Sequence, residues 1–153
     1  MEGLRHDLHW MLARLKVGLG AAEARALQEH GMTHWGYTVL MAVVDTPAQS
    51  QLALAQTIVV DKSKLVLILD ELEAAGLVQR RPDPADRRAR IIEATPRGVR
   101  TLEAAGKDIR ALEEQLLAGL GSAQRRTFRN VLSHLVGEPL DLIESGQAPA
   151  DSC

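Results

Sequence analysis

Seven arginines crowd the stretch from Leu77 to Arg100, at positions 80, 81, 87, 88, 90, 97 and 100, against only three acids, Asp83, Asp86 and Glu93. This local excess of positive charge stands out in a chain whose formal net charge is −2. Clustered guanidinium groups suit a polyanion, because phosphate attraction acts within about a Debye length, roughly 8–10 Å, so local density outweighs the total. A smaller polar group, Lys62, Ser63 and Lys64, precedes it, with Val66 close behind. Lysines can meet phosphates or guanine, serine a phosphate or a base edge, and valine a thymine methyl.

Other chemistry is sparse. No nucleophile with a base and an orienting group, no metal motif and no glycine-rich phosphate loop is visible, so neither enzymatic activity nor a cofactor is expected. His6 and His9 are three apart but lack a clear carboxylate partner, so no metal site is expected. The single cysteine, Cys153, leaves no disulfide and no cysteine-rich zinc site within one chain, and gives a redox sensor no resolving partner. No apolar run approaches the roughly 18–20 residues of a membrane span. Met1 to Asp7 reads without a secretory leader, so a reducing cytoplasm is the expected compartment.

The elements that must position these groups follow from periodicity and punctuation in a chain of 153 residues. Leu4, Leu8, Met11, Leu15, Leu19, Ala22 and Ala26 predict a helix from Leu4 to about Gln28, weakened in its middle by Gly18 and Gly20 and stopped by Gly31. Thr33 caps a second helix reaching about Val44. After the turn at Asp45-Thr46-Pro47, a short helix is predicted from Ser50 to Ile58. Asp61 then caps a helix from Lys62 to Ala75, with Leu65, Ile68, Leu69 and Leu72 as its apolar stripe and Gly76-Leu77 as its stop. Lys62, Ser63, Lys64 and Val66 are read as lying opposite that stripe. Leu77–Arg81 and Ala89–Ala94 predict two strands, and Pro82 to Arg88 a charged tip that cannot continue them.

Thr95-Pro96 starts a long helix. Its stripe of Leu102, Ala105, Ile109, Leu112, Leu116 and Leu120 is nearly heptad, and predicts pairing with a second copy. Gly121-Ser122 begins a last helix carrying Phe128, Val131, Leu132, Leu135 and Val136. Pro139 interrupts it, with one further turn after it. With only four aromatics in the chain, the core must be built from Leu, Val, Ile, Ala and Met.

A short helix, a tight connection, a second helix and a basic hairpin make a winged helix-turn-helix. The fold class is therefore mainly α with a small β-hairpin wing, and with N- and C-terminal dimerisation helices. The second helix is narrow enough for the major groove, and an arginine-bearing tip suits the narrow minor groove beside it. The expected organisation is a helical dimerisation region of residues 1–33 and 96–146, a winged region of residues 34–95, and a flexible tail of residues 147–153.

The stretch from Ser50 to Gly98 resembles the MarR family, the multiple antibiotic resistance regulators. The residues that carry the likeness are Leu54-Ala55, Asp61-Lys62-Ser63, the run Asp70 to Val78, Asp83-Pro84-Ala85-Asp86-Arg87-Arg88 and Thr95-Pro96-Arg97-Gly98. The resemblance implies a homodimer with intertwined terminal helices, and control of a promoter, often repression relieved by a small ligand. It matches Arg87 and Arg88 to wing arginines that contact DNA, with Arg90 beside them, and Asp86 to an acid that orients them by a charge-assisted hydrogen bond. Leu67 and Glu71 depart from the pattern, standing where members often carry basic or polar residues. From Asp61 to Glu73 two lysines face four acids, which leaves the recognition helix poor in positive charge.

The resemblance also places the first two helices beside a ligand cleft. His9, Trp10, Arg14, His34, Tyr37 and Met41 are its candidate walls, suited to an aromatic ligand with an acidic group. The function expected is a dimeric, sequence-specific regulator of double-stranded DNA. It would be a repressor that reads a pseudo-palindromic operator with half-sites roughly 34–36 Å apart and is released by a small aromatic or phenolic ligand. The alternative is a winged-helix protein-interaction module that has lost DNA binding, a reading that Leu67 and the acidic helix motivate.

Overall fold

A computed structural model describes residues 3–146. The tail 147–153, read as flexible, lies outside the described residues, and Cys153 with it. The helix expected from Leu4 begins instead at Leu8: Gly3–His6 is a 3-10 turn, and α1 runs Leu8–Glu29. Asp7 sets the boundary, its carboxylate accepting the Trp10 amide at 2.7 Å, which satisfies one of the donors that a helix start leaves open. Gly31, at φ +68, ends the connection after α1. Thr33 caps α2 (His34–Asp45), its hydroxyl accepting from the Gly36 amide.

The next elements follow the same local logic. Ser50 caps α3 (Gln51–Thr57), and Asp61 caps α4 (Lys62–Ala74), accepting the Lys64 amide at 2.9 Å. Between α3 and α4 the chain turns through Val59, which takes φ +52 and is 88% exposed. A left-handed β-branched residue is strained, so this connection is set by the packing of the helices on either side.

Three strands form one antiparallel sheet in the order β1-β3-β2. The hairpin strands are β2 (Val78–Pro82) and β3 (Arg90–Ala94), in register from Val78 opposite Ala94 to Pro82 opposite Arg90. Pro82, expected to begin the tip, is instead the last strand residue, a position where its missing N–H costs no interior ladder bond. The sequence reading missed β1 (Gln49–Ser50), which pairs with Ile92 and Ile91. A two-residue strand carries no periodicity of its own.

A buried cluster centred on Leu27, Leu40, Leu54, Leu65, Leu69 and Ile92 joins these elements. As expected from composition, the buried hydrophobic side chains among the described residues are all Leu, Val, Ile, Ala or Met. The α1 stripe behaves differently from the reading. Only Glu23 and Leu27 of α1 are buried, and Leu8, Leu12, Leu15 and Val17 are exposed.

α5 (Pro96–Leu116) starts where Thr95 and Pro96 place it. The Thr95 hydroxyl donates to the Gly76 carbonyl at 2.7 Å and accepts the Gly98 amide at 2.9 Å. The near-heptad stripe on α5 divides in two. Ala105 and Ile109 are buried in the chain's own core with Leu102 packed against them, while Leu116 is exposed.

The chain forms two compact units that divide at Glu113–Glu114, inside α5. The second unit holds α6 (Ser122–Leu135) and α7 (Glu138–Glu144), the extra turn expected after Pro139. Gly121 starts α6, its amide donating to the Gln124 side chain at 2.9 Å. Arg125 and Arg129 pair with Glu114, and Leu117 is the buried hydrophobic residue of this unit among those described. α6 buries no residue, and Val131, Leu135, Val136, Leu140 and Ile143 are exposed.

Gly98 marks the tightest approach. A Cβ there would lie 2.0 Å from the Leu77 carbonyl oxygen, so backbone would have to move to admit it. Gly98→Ala is expected to cost at least about 3 kcal/mol, at the upper end of overpacking penalties. A urea midpoint equal to that of the wild type would show that α5 does not depend on this approach.

Candidate nucleic-acid interface

α4 presents its buried face, Leu65, Ile68, Leu69 and Leu72, to the core. At 100° per residue, Ser63, Leu67 and Asp70 stand opposite that face, with Val66 beside them. Leu67 is 65% exposed. The outer surface of the helix thus carries Val66 and Leu67 beside Ser63 and Asp70 and no cation, fit for contact with base edges and methyl groups more than with phosphate.

Two of the residues read as outward-facing lie at its flanks. Lys62 and Lys64 border the apolar stripe, and Lys64 shares its row with Ile68 and Leu72, four and eight residues on. Its ammonium sits 4.0 Å from the centroid of the Trp35 ring. Glu71 also leaves the outer face, lining a hollow with Gln28, Met32 and Thr33 at the α1–α2 connection.

The acidity of α4 is handled locally. Arg80, on β2, reaches across to the helix. It donates to Asp70 at 2.7 Å and to Glu73 at 2.6 Å, and its amide donates to Glu73 at 3.1 Å. Burial alone would lower the guanidinium pKa, but the hydrogen bonds to Asp70 and Glu73 and their charges outweigh it and raise it. Asp61 is engaged as a cap. Of the four acids counted from Asp61 to Glu73, three therefore have structural partners, and only Glu71 stands apart, on the flank. Arg80 belongs to the scaffold and not to the charged surface; its only signal in the sequence is its place on a strand following a helix that carries Asp70 and Glu73.

The hairpin tip is rigid by local bonding. Asp83 accepts the Ala85 amide at 2.8 Å, and Asp86 accepts the Arg88 amide at 2.9 Å. The Asp83 amide donates to Ala89 across the loop mouth, and the Ala89 amide donates to the Asp86 carbonyl. Asp86, matched by resemblance to an acid that grips the arginine side chains, thus holds the backbone of Arg88. Its carboxylate orients the turn and leaves the guanidinium groups outside. Arg87, Arg88 and Arg90 are all exposed, and among the described residues their guanidinium groups have no partner. Arg81, by contrast, pairs with Glu93 at 3.1 Å.

The six candidate ligand residues separate. His34, Tyr37 and Met41 gather with Glu23, Ile109 and Glu113 around a hollow of about 210 Å³. His9, Trp10 and Arg14 do not line it: all three are exposed on the first half of α1, away from the core. Within one chain Arg14 therefore does not stand at this hollow to meet the acidic group of a ligand. The walls are themselves acidic, since Glu23 is buried and holds His34 at 3.0 Å. Among the described residues no cluster of His, Cys, Asp and Glu fits a metal ion.

A sequence model of the MarR family matches residues 32–89. The chain is 33% identical over 130 residues to a Thauera aromatica protein whose name assigns it to transcriptional regulation of the hcr operon, covering 84% of this chain and 78% of that one. Its fold is similar to that of the transcriptional repressor CouR bound to a 23-mer DNA duplex, with a TM-score of 0.80, 27% identity, and coverage of 87% of this chain and 94% of that one. It is also similar to CouR from Rhodococcus jostii RHA1 bound to p-coumaroyl-CoA, with a TM-score of 0.76, 29% identity, and coverage of 88% and 95%.

Tyr37 is the only tyrosine of the chain, so its ionisation can be followed alone. Burial raises its pKa, Arg110 opposes this, and Glu113 and Glu23 add to it, for a net rise. Gly106 is the neighbour of the hydroxyl on α5: a Cβ there would lie 3.4 Å from it, at contact distance. An ultraviolet titration of phenolate absorbance should give a midpoint above that of free tyrosine. A midpoint at or below the free value would mean that the hollow is wetter or more cationic than its walls imply.

Proposed function

The chain belongs to the MarR family of transcriptional regulators, and we propose that it is a dimeric, sequence-specific repressor that binds a pseudo-palindromic DNA operator in the cytoplasm. The observation that carries this reading is the hairpin tip. Three unpaired arginines, Arg87 and Arg88 on a loop held by its own hydrogen bonds and Arg90 at the start of β3, stand beside a helix whose acids are engaged by Arg80, used as a cap or turned to its flank. Such groups supply phosphate attraction and minor-groove contact, while Ser63, Val66 and Leu67 supply base-edge and methyl contact. Lys62 and Lys64 add phosphate contacts from the helix flanks. That CouR, a repressor of this fold, has been solved on duplex DNA supports the same use of the surface.

The dimer rests on apolar area. The exposed leucines and valines of α1 and the exposed face of α6 and α7 each need a cover, and a second copy supplies one for both. The grouping of residues 1–33 and 96–146 as the dimerisation region belongs to this proposal.

The hollow at His34, Tyr37 and Met41 is proposed to admit the small ligand. With Glu23 and Glu113 in its walls, a neutral phenol that donates a hydrogen bond suits it better than the carboxylate expected from sequence. That CouR binds p-coumaroyl-CoA supports aromatic ligands on this fold.

Gel-shift titrations with the DNA upstream of the chain's own gene test the main reading. Arg88→Ala is expected to weaken binding and to lower the slope of log affinity against log salt by about one per wing. An unchanged affinity and slope would remove the wing from the mechanism, and no shift even at low salt would favour the protein-interaction reading. Sedimentation of the free protein should give a dimer. In a thermal-shift series, neutral phenols should raise the melting temperature more than the matching benzoates; the reverse order would contradict the hollow as the ligand site.

A further inference from the structure

Lys64 is the cation of the recognition helix whose side chain is held by an aromatic ring. We propose that Trp35 is a positioning residue for DNA recognition: it holds the Lys64 ammonium at the flank of α4, ordered in advance for a phosphate of the operator backbone. The inference deepens the DNA-binding reading and rests on it.

The geometry comes from the start of α2. Thr33 caps that helix by accepting the Gly36 amide at 3.0 Å. Gly36 is buried, and a Cβ on it would lie in ordinary contact distance, 3.6 Å, of Leu72 of α4, so the first turn of α2 is seated against α4. His34 fixes the same turn from the other side by pairing with Glu23 of α1. Trp35 lies between these two anchors, so its backbone is fixed on the first turn of α2. The Lys64 ammonium lies over its ring, 4.0 Å from the centroid.

The root of Lys64 is also held, since its amide donates to Asp61 at 2.9 Å. Both ends of the side chain are therefore restrained. A free lysine loses rotamer entropy when it meets a phosphate. A lysine stacked on an indole has already given up much of that freedom, and it keeps donors that the ring does not use. The attraction of an ammonium to a ring face is modest at an exposed site, but a dimer applies it at both half-sites. Because α4 has so few cations, the position of this one matters more than on a basic helix.

A double-mutant cycle on the intact protein and its operator tests the proposal. Trp35→Ala is expected to weaken binding about two- to fivefold per half-site, without changing the melting temperature greatly. Lys64→Ala is expected to weaken binding and to lower the salt slope by about one per half-site. On the Lys64→Ala background, Trp35→Ala should have no further effect, because the group it positions is gone. Trp35→Phe should recover most of the loss by restoring an aromatic face. Trp35→Leu, which keeps bulk without that face and guards against a folding defect, should not.

Equal loss from Trp35→Ala with and without Lys64 would overturn the proposal, as would tighter binding by Trp35→Ala or no loss from Lys64→Ala, while leaving DNA binding intact. Failure of the wild-type protein to bind any upstream DNA would overturn the DNA-binding reading itself, and this inference with it.

Discussion

A wing and a recognition helix are useful together only if their spacing is fixed, and here one guanidinium group spans the gap. Arg80 leaves β2, reaches the outer side of α4 and grips Asp70 and Glu73, which lie three residues apart on that helix. Exposed ion pairs contribute about 0–1 kcal/mol each, so the clasp is weak as a source of stability. Its value lies in direction. The planar fork of arginine meets two carboxylates at once and so fixes where the hairpin stands relative to the helix. The same pairs cancel negative charge that would otherwise face a phosphate backbone.

Charge and reading are thereby divided between two elements. The tip carries unpaired guanidinium groups on a loop locked by Asp83 and Asp86, both acting on backbone amides. The helix offers Ser63, Val66 and Leu67 outward and keeps its lysines at the edges. Phosphate attraction is long-ranged and tolerant of position, so it can be supplied from a hairpin. Base contact is short-ranged and needs a rigid element seated in the groove. An outer face without cations would not conflict with DNA binding under this division; it would move the electrostatic work to the wing and the discrimination to shape and methyl contact.

Most of the fold was legible because its boundaries are local events. Asp61, Ser50, Thr33 and Thr95 each cap the helix they precede, and Gly31 takes the left-handed turn that stops the first one. Features made by distant residues were not legible. β1 exists only because Gln49 and Ser50 meet β3. The partners of Arg80 lie seven and ten residues away on a different element, and the Trp35–Lys64 stack spans 29 residues. In each case the sequence shows a charge or a ring with no sign of what it will meet.

The candidate ligand residues divided for the same reason: His34, Tyr37 and Met41 share about two turns of α2, whereas His9, Trp10 and Arg14 were grouped with them only by resemblance. The apolar stripe of α1 is a different case. The helix is present as read, but a periodic pattern says that a face will be buried without saying against what. In a single chain that face is left open.

The open faces bear on function as well as on stability. One wing and one short helix bring only a few phosphate and base contacts, and each contact is modest. In the proposed dimer a two-fold axis would double them, and the second half-site would then bind at an effective concentration set by the connection between the copies, so that affinity would rise far more than twofold. In such a dimer the packing that covers the apolar faces of α1, α6 and α7 would set the spacing of the half-sites. A small change in that packing, or in the first turn of α2 that carries both His34 and Trp35, would move the two copies of α4 relative to a fixed DNA repeat. In this chain the residue beside the hollow, His34, and the residue that holds Lys64, Trp35, are neighbours on one turn of α2, so on the proposed reading a ligand in the hollow would act next to the residue that positions Lys64.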